Sequence, residues 1–387
     1  MKYLVILIVA FTSILNLSAQ TYNPYYANIV ANTSSENVLN DLTAFEGFGV
    51  KQLGTTALTN TQNWITDRYQ SLGYTDIVLQ PFTYNTKTTN NIIITKTGTV
   101  YPNTYLIIDA HYDTINGPGT NDNGTGTVLL LELARLLKDV DTEYSIKFIH
   151  FSGEENGLIG SSYYVNNTVN VENLDIKLVF NIDEVGGVAG MTNNIIVCER
   201  DESSPSSNNA ASDVATTVLA NCMELYSNLN TQISYAYSSD YIPFENNGNI
   251  ITGLYEKNIS PVNHTANDNL AHMDPNYAYE VTKGALGAAM QFAVAYDNTL
   301  NVSEEQSLES FVAIYPNPAS KLMHITFKSV PENSVDFRLV DVQGKEVLNK
   351  SLTRQNEDIQ IDSLSRGNYL AVFKIENQRL IKKLILD

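Results

Sequence analysis

Tyr105-Leu-Ile-Ile-Asp-Ala110 leads into His111-Tyr-Asp113, Ile146-Lys-Phe-Ile-His-Phe151 into Ser152-Gly-Glu-Glu155, and Leu178-Val-Phe-Asn-Ile182 into Asp183-Glu184. Each is an apolar run of strand length that delivers an imidazole or a carboxylate just past its last apolar residue. Similar runs occupy residues 91–95, 195–198 and 250–255, and helical periodicity lies between or after them at 127–137, 210–229 and 277–295. Near-continuous apolar strands interleaved with helices predict a sheet covered on both faces. The expected fold class is α/β: a three-layer α/β/α sandwich with a mixed, mostly parallel sheet. In such open sheets ligands bind beyond the carboxyl ends of the strands, so three charged endings argue for one shared site.

Upstream, residues 34–45 and 57–72 read as amphipathic helices; Leu58, Trp64, Ile65, Tyr69 and Leu72 recur at helical spacing and Gly73 supplies the stop. The first residues have another character. Lys2, the apolar run 3–15 and the small polar stretch 16–19 have the order of a secretory signal peptide cleaved after Ala19. That run is too short to span a bilayer comfortably, and no other stretch reaches the ~18 apolar residues a membrane helix needs. The expectation is a secreted or cell-surface protein with no membrane span once mature. A net charge of −19 argues against nucleic acid as a partner, because phosphate binding needs clustered Lys and Arg. Cys198 and Cys222 are the only cysteines. They can pair in an oxidising compartment or remain separate buried thiols, and by themselves they cannot build a zinc–thiolate site.

Near residue 300 the texture shifts to a polar, acidic connector, then to the breaker Tyr315-Pro-Asn-Pro318 and short alternating strands at 323–327, 336–340, 358–361, 368–375 and 380–386. This predicts a small antiparallel β domain. The organisation expected is a signal peptide at 1–19, the large α/β domain at 20–300, a linker at 301–312 and the β domain at 313–387. Tyr315-Pro-Asn-Pro-Ala319, Leu339-Val-Asp-Val-Gln-Gly344, Gly367-Asn-Tyr-Leu-Ala371 and Lys382-Lys-Leu-Ile-Leu-Asp387 occur in order, and the tail resembles the C-terminal sorting domain of type IX secretion substrates. The resemblance implies the secretion machinery as a partner, export across an outer membrane, and then removal of the tail or surface attachment.

Two loops complete the charged constellation. Gly119-Thr-Asn-Asp-Asn-Gly124 places Asp122 before the 127–137 helix, and Asn263-His-Thr-Ala-Asn-Asp268 places His264 after the 250–255 strand. Two imidazoles and several carboxylates, without Cys, form a ligand set suited to zinc, or to cobalt or manganese. His-x-Asp, Gly-x-Asn-Asp-x-Gly, Glu-Glu, Asn-x-Asp and His-Thr-x-x-Asp stand in sequence over residues 48–295, and this part of the chain resembles the M28 family of zinc aminopeptidases. The resemblance implies the zinc-exopeptidase type of sandwich and a two-zinc site. His111 and Asp183 would bind one metal, Glu155 and His264 the other, and Asp122 would bridge them. Asp113 would hold the His111 ring, and Asp268 would be its counterpart near His264. The family often keeps the peptide after the bridging Asp in cis, here Asp122–Asn123.

Peptide hydrolysis needs a nucleophile, polarisation of the carbonyl and a proton for the leaving amine. Two zinc ions about 3.5–4 Å apart acidify a shared water and act as Lewis acids, and a carboxylate that is not a ligand moves the proton. The resemblance, rather than the residues alone, assigns Glu154 as that general base and Glu155 as ligand. Many small aminopeptidases of the family carry a Tyr directly before the last His. Here Asn263 stands in its place, so Asn263 and Tyr255 are the candidate oxyanion donors. His150 reads as structural, and Glu184 and Asp240 as groups at the site's edge. The leading expectation is an aminopeptidase acting on peptides. The alternatives are a carboxypeptidase, for which Arg200 would have to clasp a carboxylate, a one-zinc glutaminyl cyclase, and a non-catalytic surface protein.

Overall fold

The computed structural model describes residues 21–236, 238–298, 311–330, 334–341, 345–375 and 378–387. The expected signal peptide and nearly all of the expected linker lie outside them. The chain forms two compact units that meet in sequence between Tyr296 and Asp297.

In the first unit the strands are β1 (Ile77–Tyr84), β2 (Lys87–Lys96), β3 (Tyr101–His111), β4 (Asp141–Thr142), β5 (Tyr144–Phe151), β6 (Asp175–Ile182), β7 (Ile195–Arg200), β8 (Asn230–Tyr235), β9 (Ile251–Glu256) and β10 (Ala295–Tyr296). Eight of them make one sheet in the order β1-β2-β5-β3-β6-β9-β7-β8, and β4 pairs with β10. The central β5-β3-β6-β9 set is parallel, β1 and β2 run antiparallel to their neighbours, and β7 meets β9 antiparallel. The sheet is thus mixed and mostly parallel at its centre.

Alternation along the strands divides the core. Leu106, Ile108 and Ala110 of β3 pack with the helices Pro24–Val30, Ser35–Gly47, Thr56–Ser71, Gly124–Leu137, Asn209–Tyr226 and Pro275–Ala293. Ile107, one residue out of phase, packs on the other face with Tyr164, Val169 and Phe244 from the helical segments around 159–172 and 242–246. Each large apolar side chain removed from water on either face contributes about 1.5–3 kcal/mol. Cys198 and Cys222 are buried thiols in the first of these cores.

The six strands read from apolar runs are all present. The two outer strands are not legible in the same way, because they are half-exposed: Val78 and Leu79 on β1, and Ile233 and Tyr235 on β8, face solvent. Pro81 is tolerated in β1 because that strand is an edge.

In the second unit, β11 (Val312–Tyr315), β12 (Leu322–Phe327) and β15 (Asn356–Gln360) form one antiparallel sheet. The other is β14 (Glu346–Leu352), β13 (Val335–Asp341), β16 (Gly367–Ile375) and β17 (Gln378–Leu386). Their inward residues, including Met323, Ile325, Phe337 and Phe373, share one core. Asn317 fixes the Tyr-Pro-Asn-Pro stretch to β17 by donating to Lys383 O at 2.9 Å and accepting from Ile385 N at 2.9 Å.

Candidate metal centre

His111 is the last residue of β3, and its carbonyl accepts from Thr127 Oγ1 at 2.9 Å. Asn123 caps the Gly124–Leu137 helix by accepting from Gly126 N at 2.9 Å, and its amide donates to Ile182 O at 2.8 Å. A Cβ on Gly126 would collide with that same Ile182 carbonyl, so glycine lets the helix start press against the end of β6. This brings Asp122 beside Asp183. Gly117 leaves the 115–120 loop equally close to Thr265 O, which sets Asp122 against the loop that carries His264. The Asp122–Asn123 peptide is cis.

His111 Nε2 lies 3.3 Å from Asp183 Oδ1 and 3.4 Å from Asp122 Oδ1. His264 Nε2 lies 3.0 Å from Asp122 Oδ2 and 2.9 Å from Glu155 Oε2. Among the described residues two groups therefore bring their ligand atoms within 4.8 Å of one another: His111 with Asp122 and Asp183, and Asp122 with Glu155 and His264. Asp122 belongs to both, one oxygen to each. Asp122 Oδ2, Glu155 Oε1 and Asp183 Oδ1 are buried without a hydrogen bond. Glu154 Oε2 stands 3.9 Å from His111 Nε2 and belongs to neither group.

So many carboxylates in one buried place repel one another. Burial, together with the charges of Asp183, Asp113 and Asp122, pushes Glu154 up to about 7 against the pull of His111. Burial and Asp122 push Glu155 up to about 9, and burial with the charges of Asp122 and Asp183 pushes Glu184 up, a repulsion that cations held by those two aspartates would relieve. Against the cost of burial, the neighbouring rings of His111 and His264 hold Asp122 down at about 2. Orphaned carboxylate oxygens, two imidazoles and no thiolate fit zinc.

The supporting residues are arranged differently from the simplest expectation. His111 Nδ1 meets the backbone oxygen of Asp113 at 3.1 Å, while the Asp113 carboxylate is 3.9 Å away and accepts Glu154 N at 3.2 Å. The Asp268 carboxylate is turned to the Asp122 loop rather than to the His264 ring: Oδ1 accepts Asn121 N at 2.8 Å and Oδ2 accepts Asp122 N at 3.1 Å. The candidate oxyanion donors converge on a third group. Tyr255 Oη donates to Glu184 Oε2 at 2.7 Å, and Asn263 Nδ2 donates to the same oxygen at 2.5 Å. Glu184 lines the cavity at the site, whereas Asp240 is wholly buried with both carboxylate oxygens unpartnered. His150 is buried against Tyr69 Oη at 2.9 Å.

Sequence reading missed two residues. Ser239 Oγ donates to Asp183 Oδ2 at 2.7 Å. Lys51 Nζ, buried, donates to Phe45 O, Gly49 O and Pro118 O at 3.1, 2.8 and 2.6 Å and so ties the 115–120 loop to the preceding helix. Neither stands in a recognisable pattern; only the fold brings them to the site.

With this geometry in view, residues 91–289, just over half of the chain, match the sequence model of peptidase family M28. The chain belongs to that family. Residues 313–387 match the model described as a secretion system C-terminal sorting domain. Among curated proteins, aminopeptidase YwaD of Bacillus subtilis is 33% identical over 201 residues, which is 49% of this chain and 42% of that protein. The chain spans less than half the length of the curated relatives that it matches first. Among solved structures, the Legionella pneumophila LapA aminopeptidase aligns at TM-score 0.61 with 20% identity over 71% of this chain and 77% of that one. The Macrostomum lignano glutaminyl cyclase aligns at TM-score 0.63 with 13% identity over 72% and 96%. At such identities these structures share the fold, and the M28 chain is a zinc-exopeptidase sandwich followed by a small antiparallel β unit.

Proposed function

We propose that this M28 chain is a secreted aminopeptidase that uses two zinc ions to remove N-terminal residues from peptides. The observation that carries the reading is the shared Asp122, whose two oxygens face His111 and His264 respectively. His111 and Asp183 would hold one ion, Glu155 and His264 the other, and Asp122 both. Bound there, zinc supplies Lewis acidity towards the scissile carbonyl and makes water a stronger acid. Glu154 takes the proton of the attacking water and delivers it to the leaving amine. Asp113 anchors the Glu154 backbone N–H, which keeps the Glu154 and Glu155 side chains on separate tasks. Ser239 and Asp268 hold Asp183 and the Asp122 backbone in place, as partners of metal ligands do.

Amine-end specificity draws support from the relatives named aminopeptidases. A carboxypeptidase is disfavoured because Arg200 is paired with Glu202 and Asp213 and does not line the cavity. Two equivalents of zinc would count against a one-zinc cyclase. Export through the type IX machinery rests on the sorting-domain match, and no helix among the described residues is long and apolar enough to cross a membrane. The test is a panel of chromogenic aminoacyl substrates with free or acylated amines, assayed with chelator and after restoring zinc, cobalt or manganese. Chelator-sensitive cleavage confined to free amines is expected. Equal cleavage of the acylated series would sink the aminopeptidase reading.

A further inference from the structure

The cavity over the metal centre has a volume of about 320 Å³. Apart from Glu154 and four of the ligands, Asp122, Glu155, Asp183 and His264, its walls are Gly157, Leu158, Glu184, Ser238 and Tyr255. Glu184 is the one charged group in that wall, and the fold immobilises it. Its backbone has a positive φ of 47° directly after the ligand Asp183, and its carbonyl accepts Glu256 N at 2.9 Å. The next two residues are tied to the Asp122 loop, Val185 N to Thr125 Oγ1 at 3.1 Å and Gly186 N to Asn121 Oδ1 at 2.8 Å.

The carboxylate is held as firmly as the backbone. Tyr255 from β9 and Asn263 from the His264 loop both donate to Oε2, so two donors fix one oxygen of a group that lines the cavity. Glu184 belongs to neither group of mutually close ligand atoms. Its carboxyl is therefore free of a ligand's task and open to contact with another part of a substrate in the cavity. An apolar side chain placed there would strip water from a carboxylate and offer nothing in return. An ammonium or guanidinium group would supply a charge-assisted hydrogen bond.

We infer that the Glu184–Tyr255–Asn263 cluster is the specificity determinant for the substrate's first side chain, and that it selects peptides beginning with lysine or arginine. The inference rests on the aminopeptidase reading and deepens it. Tyr255 and Asn263 then act as holders of Glu184 rather than as donors to an oxyanion. Glu184 is a specificity residue, not a catalytic one.

The experiment uses the full zinc-loaded chain and compares the 4-nitroanilides of lysine, arginine, leucine and norleucine. The expected result is a kcat/KM for lysine and arginine on the order of 10- to 100-fold above norleucine, the span of one charge-assisted hydrogen bond. E184Q, an isosteric change, should collapse the lysine-to-norleucine ratio towards one, and E184M should invert it. A wild-type preference for leucine or norleucine over lysine overturns the inference and leaves the aminopeptidase reading intact. So does an E184Q enzyme that loses lysine and norleucine activity in the same proportion, since that is the mark of a group binding the shared α-amine. Calorimetric binding of free L-lysine against L-norleucine supplies a readout without turnover. If no substrate is cleaved, the aminopeptidase reading fails, and lysine binding no tighter than norleucine overturns the selectivity as well.

Discussion

Asp268 offers a direct test of how the Asp122 loop is held. Its side chain is 2% exposed, and its two oxygens accept Asn121 N at 2.8 Å and Asp122 N at 3.1 Å. Asp268→Asn keeps the shape but replaces one acceptor with an NH2 donor. In either amide orientation one buried backbone N–H then faces another donor. Leaving that buried donor unmade costs about 1–3 kcal/mol, and the surviving hydrogen bond loses its charge assistance, so about 2–4 kcal/mol of stability should go in all. Because the affected N–H groups include that of the shared ligand, zinc affinity should also fall about 10–100-fold. The single tryptophan, Trp64, lies in the first unit, so urea unfolding of the zinc-free protein followed by its fluorescence reports that unit by itself. Zinc affinity is then measured against a competing chelator. A variant within about 0.5 kcal/mol of wild type that also binds zinc normally would refute the clamp.

Glu154→Gln should keep zinc binding while lowering kcat about 10²–10⁴-fold, the range of general base catalysis; near-normal turnover would remove Glu154 from the mechanism. Burial holds His150 down at about 3 against an ordinary value of 6.5, so it is neutral in the folded state, and its share of stability is present above pH 6.5 and lost as pH falls from there towards 3. Between pH 6 and 4, wild type should lose about 1.4 kcal/mol per pH unit more than His150→Gln in urea titrations; parallel pH profiles would contradict this. Ser239→Ala frees Asp183 Oδ2 and should weaken zinc binding about 10-fold or more, read by the same chelator competition. Deleting residues 313–387 should trap the protein behind the outer membrane, detected by fractionation; normal release would remove the sorting role.

Much of this was written in local sequence. Ile107 and Leu106 pack on opposite faces because side chains alternate along a strand, so an unbroken apolar run announced a sheet covered on both sides. The residues that gather at the candidate metal centre were legible because each follows such a run or sits in a short Gly- and Asn-rich loop. The edge strands β1 and β8 were not, since solvent on one side removes the need for apolar residues there. In the second unit the division holds only in part: the edge strands β11 and β14 left no comparable signal, whereas β15 and β17, also at edges, were legible from their alternation.

The sequence by itself determined the fold class, the types of side chain at the candidate metal centre and the order in which they appear, because hydrophobic periodicity and residue chemistry are local properties. Only the tertiary structure decided which way each group faces. It turned Asp113 to the Glu154 backbone, Asp268 to the Asp122 loop, and Tyr255 and Asn263 to Glu184. It also brought Lys51 and Ser239 to the site from outside any motif. Hydrogen bonds between residues far apart in the chain depend on where the packed strands place their ends, and no local pattern encodes that.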